Sequence, residues 1–413
     1  MKRKILIVLG FLFVHLVIAQ VSDEELNHSR FQFTFISPPL STNGNQCRNF
    51  SNEISINLLV GINGGVEKFE AGSLINIDKK RVSGTQLSGL LNFVNGKANG
   101  LQIAGFGNYT HNRYDGVQLA GFYNINKGQL NGTQLAGFLN LNNSNLDSNQ
   151  ISGPVYINGQ SSSGIQIAGF TNIDNITGKG TRIAGFANIS AHGSINNNIA
   201  GFMNIAEDVK GLQLAGFMNT ARNVEGVQIS GFINISDSTR GFSLAFINIP
   251  QKQLYSRLEL STKDFMPYNL NFKLGSKEWY NIYSVGKLKN DPNRWAFGFG
   301  FGSDHNLVGN ISYNLEDICY QELWINEHRH RFLYISNLFL INELNFKFNY
   351  HLNNDISIFA GPSYCLQIRN KENSILPASD DLSPSWLLSD LTANNQNRTN
   401  IKSWIGFSAG IGF

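Results

Sequence analysis

The middle of this chain is a sixteen-residue repeat, G-x-Q-[LI]-[AS]-G-F-x-N-[IL] with a variable tail, and no other feature narrows the possible folds as far. Copies begin at Gly84, Gly100, Gly116, Gly132, Gly164, Gly180, Gly211 and Gly226. The Asn after the Gly-Phe pair recurs at Asn76, Asn92, Asn108, Asn124, Asn140, Asn172, Asn188 and Asn204, then at shorter steps at Asn219, Asn234 and Asn248. Self-similarity at a fixed period marks stacked arrays. Sixteen residues are too few for a helical hairpin, and the glycines, β-branched and aromatic residues suit a coil of short strands and tight turns. One such coil cannot bury its Leu and Phe, whereas a coil stacked on copies of itself can.

Two columns follow from stacking. Phe106, Phe122, Phe138, Phe170, Phe186, Phe202, Phe217 and Phe232 are expected to pile up inside the stack, each worth about 1.5–3 kcal/mol if fully buried. The Asn residues are expected to hydrogen-bond along the pile as a ladder, at a strand spacing of about 4.8 Å. The unit at Pro154 and Tyr156 lacks both residues and reads as an irregular coil. A rival reading makes each repeat one strand of an antiparallel barrel. Antiparallel neighbours would not set like side chains in register, so the parallel stack is preferred.

The flanks have a different grammar. Lys2, Arg3 and Lys4 precede an apolar run from Ile5 to Ile18, with Val17 and Ala19 as a small-residue cleavage pattern, so residues 1–19 read as a signal peptide. Residues 20–62 hold two alternating segments, Phe31 to Phe35 and Ile54 to Ile62, read as N-terminal strands of a barrel. The array occupies 63–250, and 251–413 reads as an antiparallel barrel region. There Tyr268–Leu274, Trp295–Phe301, Leu307–Leu315 and Leu344–Leu352 alternate aromatic or aliphatic residues with polar or tiny ones, as membrane-spanning strands do. The final segment, Ile405 to Phe413, alternates back from an aromatic end. About ten strands here plus the two N-terminal ones give about twelve, an even number as bacterial single-chain barrels prefer. The repeat array then becomes an insertion after the second strand, on the periplasmic side. The polar stretch from about Asn370 to Asn400 becomes an extracellular loop.

Chemistry is sparse. The net charge of +3 and the 15% share of charged residues imply no nucleic-acid partner. Cys47, Cys319 and Cys365 form neither a disulfide framework nor a metal spacing; a Cys319–Cys365 bridge is the less favoured reading beside two unrelated buried thiols. His328 and His330 lie two apart and read as a charged hairpin tip, and Asp380, Asp381 and Asp390 as loop carboxylates. Asp115, Asp147, Asp174, Glu207, Asp208, Glu225 and Asp237 fall in the variable tails and form no aligned pair for glycan hydrolysis. No catalytic, cofactor-binding or metal-ligating residue is expected, and no cofactor.

The Gly-x-Gln-[LI]-[AS]-Gly-Phe-x-Asn units, with Ile36-Ser-Pro-Pro-Leu40 and Ser55 to Gly61 before them, resemble the bacterial surface repeat-containing proteins, of the kind exported by Bacteroidetes. The resemblance spans about residues 31 to 250 and implies a cell-envelope location without an activity. The expected molecule is all-β: a β-solenoid of about sixteen-residue coils combined with an antiparallel, transmembrane β-barrel. Its expected role is non-enzymatic, in the outer membrane of a Gram-negative cell. The barrel serves as anchor, and the solenoid serves for binding or scaffolding an envelope or extracellular ligand. The alternative is a transport barrel for small solutes with the repeats as plug or lining. The lipid bilayer is the first expected partner.

Overall fold

The computed structural model describes residues 25–144, 146–158, 162–176, 180–290, 293–324, 334–353, 355–370, 382–384, 387–390 and 399–413. The expected signal peptide, His328, His330, Asp380, Asp381 and most of the 370–400 stretch lie outside them. The protein is an all-β chain with a parallel solenoid of about 11 turns and a closed eight-stranded antiparallel barrel. It divides into two compact units, up to Ile229 and from Ser230 onward.

In the first unit each coil contributes two strands, as in Leu130–Ala136 and Leu139–Asn142. A Gly-Phe corner joins them. Pairing is parallel and in phase with the repeat: Gln134 lies between Gln118 and Gln150, and Asn140 follows Asn124. The repeat length therefore sets the register. At the corner the glycine column is obligatory for a steric reason. A Cβ on Gly121 would sit 2.1 Å from the carbonyl oxygen of Gly105, and Gly137 stands in the same relation to Gly121 at 2.2 Å.

The interior reverses the expected arrangement. The buried columns are Gln102, Gln118 and Gln134 on one strand and Asn92, Asn108, Asn124 and Asn140 on the other, all essentially without solvent exposure. The Phe column faces outward instead, with Phe122 41% and Phe170 52% exposed. The coil does enclose rings, as at Tyr114 and Tyr156, but not at the corner. The corner position points away from both inward faces, so the ring is left outside. The smaller amides fill the interior because stacking gives each one a partner above and below. Buried apolar contacts survive on the tail side, where Val82, Val94, Ala98, Tyr114 and Leu130 pack together.

The N-terminal strands also need correcting. Asn27–Ile36 pairs in parallel with Phe50–Gly72, and Phe50–Gly72 with Ile75–Ser88, so the two segments expected as barrel strands within 20–62 belong to the solenoid sheet instead. Their alternation is genuine, but Gln32 and Thr34 point inward while Phe31, Phe33 and Phe35 face out. The inverted pattern thus begins with the first strand. The twelve-strand count falls, and with it the argument for an insertion and for its side of the membrane.

The second unit opens with solenoid strands, Ile233–Thr239 in parallel with Ile247–Pro250. The barrel follows: Tyr255–Lys263, Tyr268–Gly275, Tyr280–Lys287, Arg294–Val308, Ile311–Trp324, Tyr334–His351, Ser357–Asn370 and Thr399–Gly412. Each strand pairs antiparallel with the next, and the first pairs with the last, Leu260 opposite Ile411. Leu258 and Phe413 exchange backbone hydrogen bonds of 3.1 and 2.8 Å, which closes the cylinder. The Leu307–Leu315 segment, expected as one strand, is a hairpin end: Gly309 adopts φ 60° at the turn. In that left-handed region a side chain is strained.

Candidate functional site

Two surfaces carry whatever this protein does, and both follow from where polar groups are placed. In the barrel, alternate residues point inward. Lys273 contacts Glu259 and Glu316, and Lys347 reaches Glu316 at 2.7 Å and Glu259 at 3.5 Å. Two ammonium groups and two carboxylates thus compensate one another in the barrel's interior. Tyr280 donates to Glu316 at 3.0 Å, and Lys263 bonds Glu343 and the Tyr320 hydroxyl. Arg294 pairs with Glu322 at 2.5 Å. Buried charges demand such partners, because removal from water costs several kcal/mol per ion. Eight strands leave an interior that side chains can fill, and these side chains fill it.

Glycines make the room. A Cβ on Gly298 would lie 2.6 Å from the Tyr320 ring, and one on Gly302 the same distance from the Tyr280 ring. The Trp295, Phe297, Phe299, Phe301 alternation with Ala and Gly is therefore one strand read from both sides. Bulky residues face out, and space for the interior tyrosines is kept within. Outside, Leu258, Leu260, Phe272, Phe297, Leu344, Phe346, Phe348, Ile405 and Phe407 are exposed. A water-soluble barrel would show the opposite distribution. One outward position departs from it: Asn281, fully buried, donates to the carbonyl of Ala245 at 2.7 Å and accepts from Asn248 at 2.6 Å. The amide ladder that passes from Asn234 to Asn248 at 3.1 Å thus ends on the barrel wall.

In the first unit the ladder steps are regular. Asn76, Asn92, Asn108 and Asn124 each donate to the next Asn at 2.9–3.0 Å, and each also bonds the carbonyl of the facing strand, as Asn124 does with Leu135 at 2.8 Å. The Gln column runs the other way, Gln118 donating to Gln102 at 2.6 Å. Tyr156 takes the ladder position between Asn140 and Asn172, so Pro154 and Tyr156 do mark an irregular coil.

Sequence reasoning missed two features of this core. Glu70 and Asp78 are both fully buried, and Gln86 donates to each, at 2.7 and 2.6 Å. Burial pushes both carboxyls up, Asp78 the further because the Glu70 charge adds to it. Asp174, expected in a surface tail, is buried against Arg182, which replaces the column glutamine. The signal was present in the register: Asp78 and Asp174 occupy the inward position that Asn126 and Asn142 fill elsewhere. Asp115, Glu207, Asp208, Glu225 and Asp237 are exposed or half-buried, with Asp115 paired to Arg113 and Glu207 to Arg222; the Asp147 side chain lies outside those described.

Cys365 is buried, Cys319 exposed, and neither is bridged. Among the described residues no three His, Cys, Asp or Glu side chains gather as a metal site. No family model matches the chain, and no curated protein or solved structure matches it either.

Proposed function

We propose that this is a non-enzymatic protein of the outer membrane, anchored by its barrel, whose solenoid presents an extended polar edge for binding or scaffolding in the cell envelope. The observation that carries the reading is the inverted barrel, with ion-paired lysines and glutamates inside and aliphatic and aromatic side chains outside. Hydrocarbon favours that distribution, since it cannot solvate charge but accepts Leu, Ile and Phe at no cost. A charged N-terminal segment with an apolar run supports export, and the repeat motif supports kinship with surface repeat-containing proteins.

The transport alternative is the weaker reading. A passage needs an open lumen, and Lys273, Lys347, Glu259, Glu316, Tyr280 and Tyr320 occupy this one. The polar edge of the solenoid carries the exposed Lys97, His111, Arg113, Lys127, Lys210 and Arg222. A ligand for that edge is therefore charged or strongly hydrogen-bonding. The test is cell fractionation with protease access to tags at the 143–145 turn and in the 371–381 stretch. Recovery in the outer-membrane fraction, with no conductance steps in planar bilayers, is expected. A soluble product, or reproducible single-channel steps, would overturn the anchor reading.

A further inference from the structure

The solenoid is amphipathic in cross-section, and the geometry points to its Phe edge as a second lipid-contacting surface, embedded among the acyl chains of the bilayer. This deepens the proposal above and rests on the barrel being the anchor. Four outward columns meet at that edge: Leu87 to Ile229, Leu90 to Phe217, Leu91 to Met218, and Phe93 to Thr220, each sampled once per coil. None of these columns contains Lys, Arg, Asp, Glu, His, Asn or Gln. Among the described residues of the first unit, the exposed Lys97, His111, Arg113, Lys127, Lys210 and Arg222 lie outside these columns, in the coil tails.

The rings form a ridge of two stacked runs with Pro154 between them. Phe106, Phe122 and Phe138 stack at 5.0 and 4.7 Å, and Phe170, Phe186, Phe202 and Phe217 at 4.8, 5.0 and 4.9 Å. With about 200 Å² per Phe, these seven rings, each 37–52% exposed, leave on the order of 600 Å² of open apolar surface. That already equals the largest patch of an ordinary soluble monomer, about 300–600 Å², before the aliphatic columns are added. Beside the ridge runs an open trough of about 390 Å³ between Ile103, Leu119, Leu135 and Ile151, floored by alanine and glycine. Its length along the stack and its apolar lining match a hydrocarbon chain.

Two features favour lipid over a protein partner. Protein interfaces carry about one hydrogen bond per 100–200 Å², and the side chains of the four columns offer only Tyr109, Tyr123, Thr171 and Thr220 for this. Hydrocarbon, by contrast, requires that every backbone group be satisfied internally, and turns ordinarily fail that demand. These do not: Phe122, Phe138, Phe186 and Phe202 each donate their N–H to the carbonyl of the Phe one coil below, at 2.9–3.0 Å. Within the second unit, the coil residue Phe246 meets the barrel's outer surface, stacking on Phe299 at 5.4 Å and meeting Tyr283 edge-on. There, the coil edge and the barrel's apolar exterior are one surface.

The first unit contains no tryptophan, all five lying from Trp279 onward, so Phe122→Trp and Phe186→Trp add reporters to the ridge. The full-length variants, reconstituted in phosphatidylethanolamine–phosphatidylglycerol vesicles, are compared with wild type and with Lys97→Trp on the polar edge. The added ridge emission is expected to be blue-shifted, lost when the acyl chains are brominated, and insensitive to aqueous iodide; Lys97→Trp emission is expected to behave oppositely. Ridge emission quenched by iodide, while the native tryptophans still respond to brominated chains, overturns the inference and leaves the anchor standing. Ridge emission insensitive to both quenchers, with a concentration-dependent dimer, overturns it in favour of a second copy. If the native tryptophans also ignore brominated chains, the anchor reading itself fails.

Discussion

At the scale of single residues, the solenoid core shows what happens when charge enters an amide column. Arg182 and Asp174 replace a Gln and an Asn of neighbouring coils, and each makes the other tolerable. Arg182→Gln alone strands a buried carboxylate and is expected to cost about 3–5 kcal/mol in denaturant unfolding. Adding Asp174→Asn restores the residues of the neighbouring columns and should recover most of that loss. Among the described residues no cation is paired with Glu70 or Asp78 in this way, and burial pushes both carboxyls up. Free carboxyls titrate near 4. Above that pH the fold binds more protons than the unfolded chain, so the contribution of this pair is full below about 4 and declines as pH rises through the elevated folded values. Asp78→Asn places at this position the residue found at Asn126 and Asn142. It should flatten the decline and raise stability at neutral pH by about 1–3 kcal/mol. Unchanged pH dependence of melting in this variant would show that the pair is not what titrates.

At the scale of elements, the coil is the unit of construction. Like side chains pair across coils because sixteen residues return the chain to the same point, so removing residues 117–132 joins Gly116 to Thr133 and preserves every column. That deletion should retain cooperative unfolding and a strand-rich circular dichroism spectrum. Removing eight residues, 117–124, sets one strand of the coil over the other and puts the Gly-Phe corner out of phase with its neighbours, and should abolish folding of the first unit. Equal tolerance of both deletions would contradict register control by the repeat. The barrel strands work differently: their register comes from hairpins such as the one at Gly309, and their inward faces are held by ion pairs between non-adjacent strands, as in Lys263 with Glu343.

At the scale of the whole molecule, polar interiors recur in both units, with apolar outward faces on the barrel and on the Phe edge of the coils, and on the reading proposed above this sets the solvent the protein needs. Purified from detergent and diluted into buffer without amphiphile, the chain should aggregate. The same dilution into vesicles or micelles should give a folded form resistant to proteolysis. A monodisperse folded protein in plain buffer would be incompatible with the exposed Leu260, Phe348 and Phe407.

The order of the argument from sequence can now be set against the tertiary result. Period sixteen determined the parallel stack and the Asn ladder, because self-similar spacing leaves only one way to put Asn108 over Asn92. Alternation in Leu344–Leu352 determined two-faced strands, because side chains on a strand have a period of two. What alternation does not carry is which face turns inward, and there the buried Phe column and the N-terminal barrel strands were misread. Hydrophobicity alone favours burial of Phe122. The tertiary structure reversed this because the corner that holds Phe122 points away from both inward faces, while the inward positions are filled by amides that bond to neighbours above and below. The buried Asp174 and Glu70–Asp78 pairs, and the closing of the barrel at eight strands, likewise depended on which residues meet across the fold. Pairing between distant segments decides those contacts, and local pattern does not encode it.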